Sequence, residues 1–399
     1  MCVADIRLRI ADRPVGGFCC PIPHSPVRIP RCVADSHGVA MSIEELRARI
    51  DKLDAEIVRL INSRAELAAQ IGKLKQQNSG CVYAPEREEQ ILRRVENFGQ
   101  GILSGDAVRA IYTEIISACR ALERRPRVAY LGPEGTFAHQ GAKVRFGSSA
   151  DLIPVKTIKA AFTAVERSDA DHSVVPIENS SDGAIGETLD ALLDSPLRVC
   201  GEIHIAVHQN LMAKCAVSQV RKIYSKVQVF AQCGEWLAAN MADVELVDAG
   251  STTQAAQRAS EEQGAAAIAH EEAARIYGLN ILSRHIEDDP RNATRFFVLG
   301  KESARRTGND KTSLLCFIKD EVGALLHILE PFRSHKLNLT SIQSRPSKRR
   351  MWDYCFFMDF EGHAEDDNVA PALEEVRAAC KEMRILGSYP VSNSISSDV

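Results

Sequence analysis

Apolar residues recur at alternating steps of three and four from Ile43 through Leu46, Ile50, Leu53, Ile57 and Leu60 to Leu67, Ile71 and Leu74. This is the period of an amphipathic helix. Ser42 opens it as N-cap, with Glu45 reaching back in a capping box, and the run continues to Lys75. At ~1.5 Å per residue such a helix is roughly 50 Å long. A seam of that length outgrows a small domain and calls for a partner helix, expected from a second protomer. Arg64 occupies the slot between Leu60 and Leu67. A permanent charge in a seam is costly unless paired, so Arg64 reads either as a register-setting polar residue or as part of an anion site inside the bundle. Two more helical segments follow, Pro85–Asn97 and Asp106–Arg125, the second with Ile111, Ile115, Cys119 and Leu122 on one stripe.

The period then changes. Val128–Leu131 reads as a strand, followed by the turn Gly132-Pro133-Glu134-Gly135-Thr136-Phe137 and a helix from about Ala138. A second apolar run, Ser173–Ile177, leads into Glu178, Asn179, Ser180, Ser181 and Asp182, and from Gly186 the pattern is helical again on Ile185, Leu189, Leu192 and Leu193. Ile223-Tyr224-Ser225 ends a strand, and a helix runs from Gln232-Cys233 to Ala239. Ser251-Thr252 caps the next helix, Ala265–Ala269 is a small-residue strand ahead of Glu271–Tyr277, and Asn292–Val298 carries Thr294-Arg295 into a late strand. Strands alternating with helices imply parallel sheets, and a late strand returning to the first sheet implies two lobes with a cleft between them. A strand end that delivers polar groups to a helix N-terminus is where such sheets hold anions. Taken singly, the same Ser, Asn and Asp residues read as ordinary caps.

A charged linker, Lys301–Asp310, precedes a third pattern: strand Thr312–Lys319, helix Gly323–Ser334, strands Leu337–Arg345 and Trp352–Phe360, helix Ala370–Met383 and strand Arg384–Tyr389. That βαββαβ order is ferredoxin-like. Pro331 falls inside the first of these helices and is expected to kink it.

Composition narrows the class. The 399 residues suffice for two to four domains, with 45% apolar residues for real cores and 26% charged. A formal net charge of −4 gives no electrostatic case for nucleic acid or anionic membrane. No apolar stretch reaches the ~18–20 residues of a membrane span. The 12 cysteines are scattered singly, with no repeated Cys-x-x-Cys and no Cys/His cluster at zinc spacing, so reduced cytoplasmic thiols and no metal are expected. Without a Gly-x-Gly-x-x-Gly no nicotinamide cofactor is expected either. Met1–Ala40 has no lasting period and no secretory h-region. Met41 is the expected natural start, with the stretch before it disordered or a mis-called start; mass spectrometry of the native N-terminus tests this.

The order long helix, short helix, third helix, with Arg47, Arg64, Lys75, Arg87-Glu88 and Glu123 at their places, resembles the all-helical chorismate mutase domain. The resemblance implies an intertwined dimer in which Arg47, Arg64 and Arg87 grip substrate carboxylates, Arg47 crossing to the other protomer. It puts Lys75 and Glu123 on the ether oxygen and Glu88 on a substrate hydroxyl. Ala84 stands where the family often has aspartate, and Glu123 where some members have glutamine. The implied pericyclic rearrangement of chorismate to prephenate needs no nucleophile and no cofactor, only a compact conformer and positive charge at the ether oxygen. A carboxyl facing that oxygen has to be protonated to donate, so mutase activity is expected to favour mildly acidic pH.

Gly-Pro-Glu-Gly-Thr-Phe-Ala from Gly132, Val-Pro-Ile-Glu-Asn-Ser from Val175, Tyr-Ser-x-x-Gln from Tyr224, Ser-Thr-Thr-Gln-Ala-Ala from Ser251 and Asn-x-Thr-Arg-Phe from Asn292 resemble, in order, the motifs of prephenate dehydratase. The implied domain is two-lobed and periplasmic-binding-protein-like. Prephenate loses carbon dioxide and its ring hydroxyl to give phenylpyruvate, with Thr294 as proton donor, polarised by Arg295. Asn179, Ser225, Gln232 and Glu178 are expected to bind substrate, supported by Thr136, Ser251 and Thr252. Ser-Lys-Val replaces the family's Ser-His-Pro at Ser225. The C-terminal module resembles a phenylalanine-binding ACT domain through Gly323-Ala324-Leu325 and Gln343-Ser344-Arg345-Pro346, with Gln343 in place of a glutamate. The expected divisions are 1–40, 41–126 (mutase), 127–300 (dehydratase) and 311–391 (ACT). The whole resembles the bifunctional chorismate mutase/prephenate dehydratase family, a cytoplasmic enzyme inhibited by its end product phenylalanine, a homodimer through the long helix and open to higher assembly. The alternative from another class is a two-lobed amino-acid-sensing protein that closes on a ligand without catalysis, with no need of Thr294.

Overall fold

The computed structural model describes residues 41–77, 83–98, 101–319, 321–349, 353–392 and 395–396. The expectations for Met1–Ala40 and for Trp352 fall outside them. Helix α1 spans Ile43–Gln77, α2 Pro85–Phe98 and α3 Gly105–Glu123. The capping box forms as expected, with the Ser42 amide donating to Glu45 Oε2 at 2.9 Å and the Glu45 amide to Ser42 Oγ at 3.2 Å. Along α1 the seam faces solvent in the single chain, from Ile43 (64% exposed) to Leu67 (61%) and Leu74 (60%). Helices α2 and α3 pack on each other through Leu92, Val95, Ile116 and Cys119, and Arg109 binds Glu89 and Glu96 at 2.7 Å each. The third helix stops at Glu123, short of the expected Arg125, because Arg124 turns extended (φ −168°) to enter the first strand.

Two lobes follow. The first holds β1 (Arg127–Leu131), α4 (Phe137–Phe146), β2 (Asp151–Val155), α5 (Ile158–Glu166), β3 (His172–Asn179), β4 (Gly183–Ala184), α6 (Gly186–Asp194) and β5 (Arg198–Ala206). The second holds β6 (Asn210–Ala213), β7 (Lys222–Ser225), α7 (Val227–Gln232), α8 (Gly234–Asn240), β8 (Glu245–Asp248), α9 (Thr252–Glu261), β9 (Ala265–Ala269), α10 (Glu271–Tyr277) and β10 (Asn280–Ser283). Strand β11 (Ala293–Gly300) then returns to the first sheet between β5 and β3, as the late strand predicted. The sheets are mixed rather than parallel: β1, β2 and β3 run parallel, but β11 is antiparallel to both neighbours because the chain comes back from the second lobe. The helix expected from Gln232 to Ala239 starts later, at Gly234, and a separate short helix, α7, precedes it and ends at Gln232, with the break at Cys233. Asp288 accepts from the Glu235 and Trp236 amides and caps α8 from a distant segment.

The C-terminal module is β12 (Asp310–Phe317), α11 (Ala324–Ser334), β13 (Leu339–Pro346), β14 (Tyr354–Glu361), α12 (Val369–Ala379) and β15 (Glu382–Pro390), with sheet order β13-β14-β12-β15, and β16 (Ile395–Ser396) then joins the first sheet beside β5. This is the βαββαβ order expected. Helix α11 runs through Pro331, which is buried. Helix α12 ends earlier than its sequence pattern, because Glu382 and Met383 pair with Phe317 and Cys316 of β12. Alternation gives the small sheet two apolar faces. Leu314, Cys316, Met358 and Phe360 pack under α11 and α12, while Leu315, Phe317, Phe357 and Tyr389 join one core with α5, α6 and β3 of the first lobe. Gly387 permits the contact, since a Cβ there would overlap the Val199 carbonyl of β5.

Candidate active sites

Two adjacent strands of the first lobe meet the second lobe at a cavity of about 460 Å³. Asn179 ends β3 directly opposite Thr294 of β11. Asn179 Nδ2 donates to Thr294 Oγ1 at 2.9 Å and to Asn292 Oδ1 at 2.9 Å. Its Oδ1 accepts from the Ser181 and Asp182 amides at 2.9 and 3.0 Å, which fixes the orientation of the amide. Both side chains line the cavity at the edge of burial, 9% exposed each. With its oxygen held by Asn179, the threonine hydroxyl keeps its own proton for a bound molecule.

Opposite them stand helix starts. Thr136 caps α4, Ile185 precedes α6, Lys226 precedes α7 and Ser251 caps α9, and all four line the cavity. Free N–H groups and the helix dipoles favour anions there. Thr136 and Ser251 accept from the His139 and Gln254 amides, so these hydroxyls serve first as caps. Thr252 and Gln232 line the same space. Lys226 is the one cationic side chain among the lining residues. It stands where the family has histidine, and reasoning from sequence passed over it. Gln228 and Asn292, both inside quoted motifs, also line or brace the cavity and were not singled out. Gln209 belongs to no motif; it is 1% exposed, lines the cavity, and its Oε1 is buried without a partner.

Three expected residues lie elsewhere. Ser225 is fully buried inside the second lobe, where its hydroxyl donates to the Ile268 carbonyl at 2.8 Å. Glu178 and Arg295 face away from the cavity, because neighbours along a strand point to opposite sides of the sheet. A bulge at the Arg295/Phe296 step keeps Pro176 and Asn179 on the cavity side while Ile177 and Glu178 turn to the small C-terminal sheet. The expectation that Arg295 polarises Thr294 is therefore corrected. Arg295 binds Glu202 and Asp359 instead. Burial opposes ionisation of Glu202, but the neighbouring His204, at 3.7 Å, and the charges of Arg295 and Lys311 outweigh it and bring the carboxyl down to about 2. Burial likewise works against the Arg295 charge, yet Tyr389, Asp359 and Glu202 hold its pKa above the ordinary arginine value.

In the helical part, Arg64 is half-buried and its Nη1 donates to Cys119 Sγ of α3 at 3.0 Å. Further along, Gly72 brings α1 against Glu123, whose Oε2 is buried without a hydrogen-bond partner. Lys75 is half-buried and lines a cavity of about 640 Å³ with Tyr83, Ala84 and Arg124. Arg87 and Arg47 are exposed, Arg47 on the segment before Val58. Glu88, expected on a substrate hydroxyl, is bound to Arg120 at 2.5 Å, and Arg120 also donates to the Phe146 carbonyl at 2.6 Å. In the C-terminal module, Gly323 takes a left-handed φ of 84° at the start of α11, ahead of the buried Ala324 and the half-buried Leu325. Gln343, Ser344, Arg345 and Pro346 close β13, with Ser344 and Pro346 outward. Arg345 binds Asp190 of α6 at 2.9 Å.

Comparison with known families gives three matches along the chain: chorismate mutase type II over residues 46–124, prephenate dehydratase over 128–304 and ACT domain over 312–378. A bifunctional chorismate mutase/prephenate dehydratase of Aquifex aeolicus is 44% identical over 353 residues, covering 87% of this chain and 98% of the relative. One from Neisseria gonorrhoeae is 40% identical over 362 residues, covering 89% and 99%. Among solved structures, the prephenate dehydratase of Arthrobacter aurescens in complex with L-Phe superposes with a TM-score of 0.63 at 33% identity, covering 66% of this chain and 90% of that one.

Proposed function

The chain belongs to the bifunctional chorismate mutase/prephenate dehydratase family, and from that premise we propose how its residues divide the work. It is an enzyme of phenylalanine biosynthesis that rearranges chorismate to prephenate and converts prephenate to phenylpyruvate, carbon dioxide and water. The first reaction belongs to residues 41–126, the second to 127–300 and regulation to 311–391, with 1–40 an extension.

In the dehydratase cleft, Lys226 and the N-termini of α4, α6 and α9 hold the two substrate carboxylates. Gln209 supplies a further hydrogen bond from the crossing between lobes. The Thr294 hydroxyl gives its proton to the ring hydroxyl, which leaves as water. The electrons of the bond to the departing carboxylate pass into the ring as carbon dioxide is released. Threonine is a weak acid, and the Asn179 amide donor on its oxygen steadies the charge that forms as the proton moves. Solvent returns the proton. The observation that carries this reading is the Asn179–Thr294 hydrogen bond of 2.9 Å at the wall of the cavity. Replacing Asn179 by Ala is expected to lower kcat for phenylpyruvate formation about a hundredfold, the worth of one such donor. Wild-type turnover in that variant would remove Asn179 from the mechanism.

In the mutase site, Arg64 and Arg87 hold carboxylates, Lys75 and Glu123 meet the ether oxygen, and Arg47 serves the site of the other protomer. The exposed α1 seam supports a homodimer. Glu88, held by Arg120, keeps its second carboxylate oxygen to accept from a substrate hydroxyl. The C-terminal module binds phenylalanine with the Gly323–Leu325 and Gln343–Pro346 segments and lowers dehydratase activity when the end product accumulates. Among the described residues no helix is long and apolar enough to cross a membrane, and the seven described cysteines form no disulfide. A cytoplasmic enzyme fits both facts.

A further inference from the structure

Between the strand that carries Thr294 and the small C-terminal sheet lies a buried charged cluster that the dehydration itself does not use. Arg295 is its centre. On its own lobe, Arg295 donates to Glu202 of β5 from Nε at 2.9 Å. From the small sheet it is met by Asp359 of β14 at 2.6 Å and by the Tyr389 hydroxyl of β15 at 3.0 Å. Lys311 of β12 binds Glu202 at 3.0 Å, and Ser313 of the same strand donates to Asp359 at 2.6 Å. Two strands of the regulatory sheet thus bind one side chain of the catalytic strand, and a third binds its carboxylate partners Glu202 and Asp359. Arg295 and Lys311 face Glu202 and Asp359, with the Glu178 carboxylate further out at 3.9 Å from Arg295, and Arg295, Glu202, Asp359 and Tyr389 are all under 9% exposed. In so dry a place, loss or displacement of one carboxylate leaves an arginine undercompensated, and the strand shifts to relieve it. The bulge opposite the Arg295/Phe296 step, where Ile177 of β3 is the extra residue, is the point where the pairing of β3 with β11 can yield.

A second observation joins the effector segment to the same place. A small crevice of about 20 Å³ is walled by Glu178, Arg295, Ser313, Asp359 and Gln343. Gln343 is the first residue of the segment that resembles the phenylalanine motif. Two residues on, Arg345 binds Asp190 and lies against Gly186, the first residue of α6 after the Asn179 turn. Both members of the catalytic pair, Thr294 and Asn179, therefore sit a short step from a residue gripped by the regulatory sheet.

We propose that Arg295 is a positioning residue: with Asp359 it sets the alignment of Thr294 against Asn179, and it carries the state of the Gln343–Pro346 strand to that pair. The proposal rests on reading the C-terminal module as a phenylalanine-binding ACT domain. Its test uses the full-length chain as wild type, Asp359→Asn and Tyr389→Phe, each assayed for both reactions with and without saturating phenylalanine. Asp359→Asn keeps the shape but removes the charge and one of the two acceptor oxygens; Tyr389→Phe removes one hydroxyl. Dehydratase kcat is expected to fall about tenfold in the first and about threefold in the second, with KM moving less than about twofold. The fractional inhibition by phenylalanine shrinks in both, while mutase kcat stays at the wild-type value. Wild-type dehydratase kcat and undiminished inhibition in both variants would overturn the proposal, as would a parallel loss of both activities. If wild type itself ignores phenylalanine, the reading of the regulatory module fails separately, and the kcat of Tyr389→Phe alone decides the positioning claim.

Discussion

Along α1 every third or fourth side chain is apolar and, in the single chain, exposed, while the strands around Thr294 are covered by their own chain on both faces. As proposed, the mutase site takes its carboxylate grip from Arg47 and Arg64 of α1 and Arg87 of α2 and leaves the exposed seam for a second copy. The dehydratase segment gathers Thr136, Asn179, Lys226, Ser251 and Thr294 from distant stretches of one chain into one cavity. On this proposal the first site is close to linear in sequence and needs a second protomer, whereas the second is scattered in sequence and gathered within one. Association and dehydration should therefore be separable, and substitutions along the seam ought to strike the mutase activity and spare the other.

The strongest blow to this contrast is a charge in the seam. Leu60→Glu is expected to turn the dimer into a monomer by light scattering and to cut mutase kcat/KM about a thousandfold, with phenylpyruvate formation within about twofold of wild type. Loss of both activities would show that the cleft, too, needs the second copy.

Acid probes the other side of the comparison. His172 opens β3, is buried beside Tyr83 with ring centroids 4.6 Å apart, and its Nδ1 has no hydrogen-bond partner. Burial pushes its imidazole down to about 4 from 6.5. The folded chain thus keeps it neutral while the unfolded chain takes a proton as pH falls below 6.5. Stability is full above that value and is lost progressively down to about pH 4, by about 3 kcal/mol. His172→Gln should flatten the fall in urea midpoint across this window; an unchanged slope would assign the acid sensitivity to other groups.

Smaller effects sharpen the roles inside each site. Lys226→Gln should raise the KM for prephenate about tenfold and leave kcat nearly unchanged, as expected for a charge that grips the substrate equally before and during reaction. A lower kcat at constant KM would move Lys226 from binding to chemistry. Glu123→Gln should flatten the mutase pH profile, since an amide donates to the ether oxygen at any pH; coincident profiles would take Glu123 off that oxygen.

Period and punctuation in the sequence were enough for the three helices, the late return strand and the βαββαβ module. Each of these rests on local signals such as the Ser42–Glu45 box or the change of apolar period along the chain. What stayed hidden depends on partners far along the chain. The break at Cys233 comes from an Asp288 cap, and the early end of α12 from pairing with β12. Thr294 and Asn179 were legible through motifs, yet their bond needs the β3–β11 register, which no local pattern encodes. Arg295 is instructive in another way: adjacency to Thr294 in sequence suggested cooperation, whereas strand alternation placed the two on opposite faces. Applied to Asn292–Val298, the period of two would have predicted that separation. Gln209 carried no signal at all, because its importance lies in an unpartnered oxygen at the crossing between lobes.

The central claim is that one chain holds two separate catalytic pockets. It is tested most directly by assaying Thr294→Ala for both reactions in the same preparation. Phenylpyruvate formation from prephenate should fall by at least about a hundredfold while chorismate is consumed at the wild-type rate. Equal decline of the two activities, or undiminished phenylpyruvate formation, would contradict it.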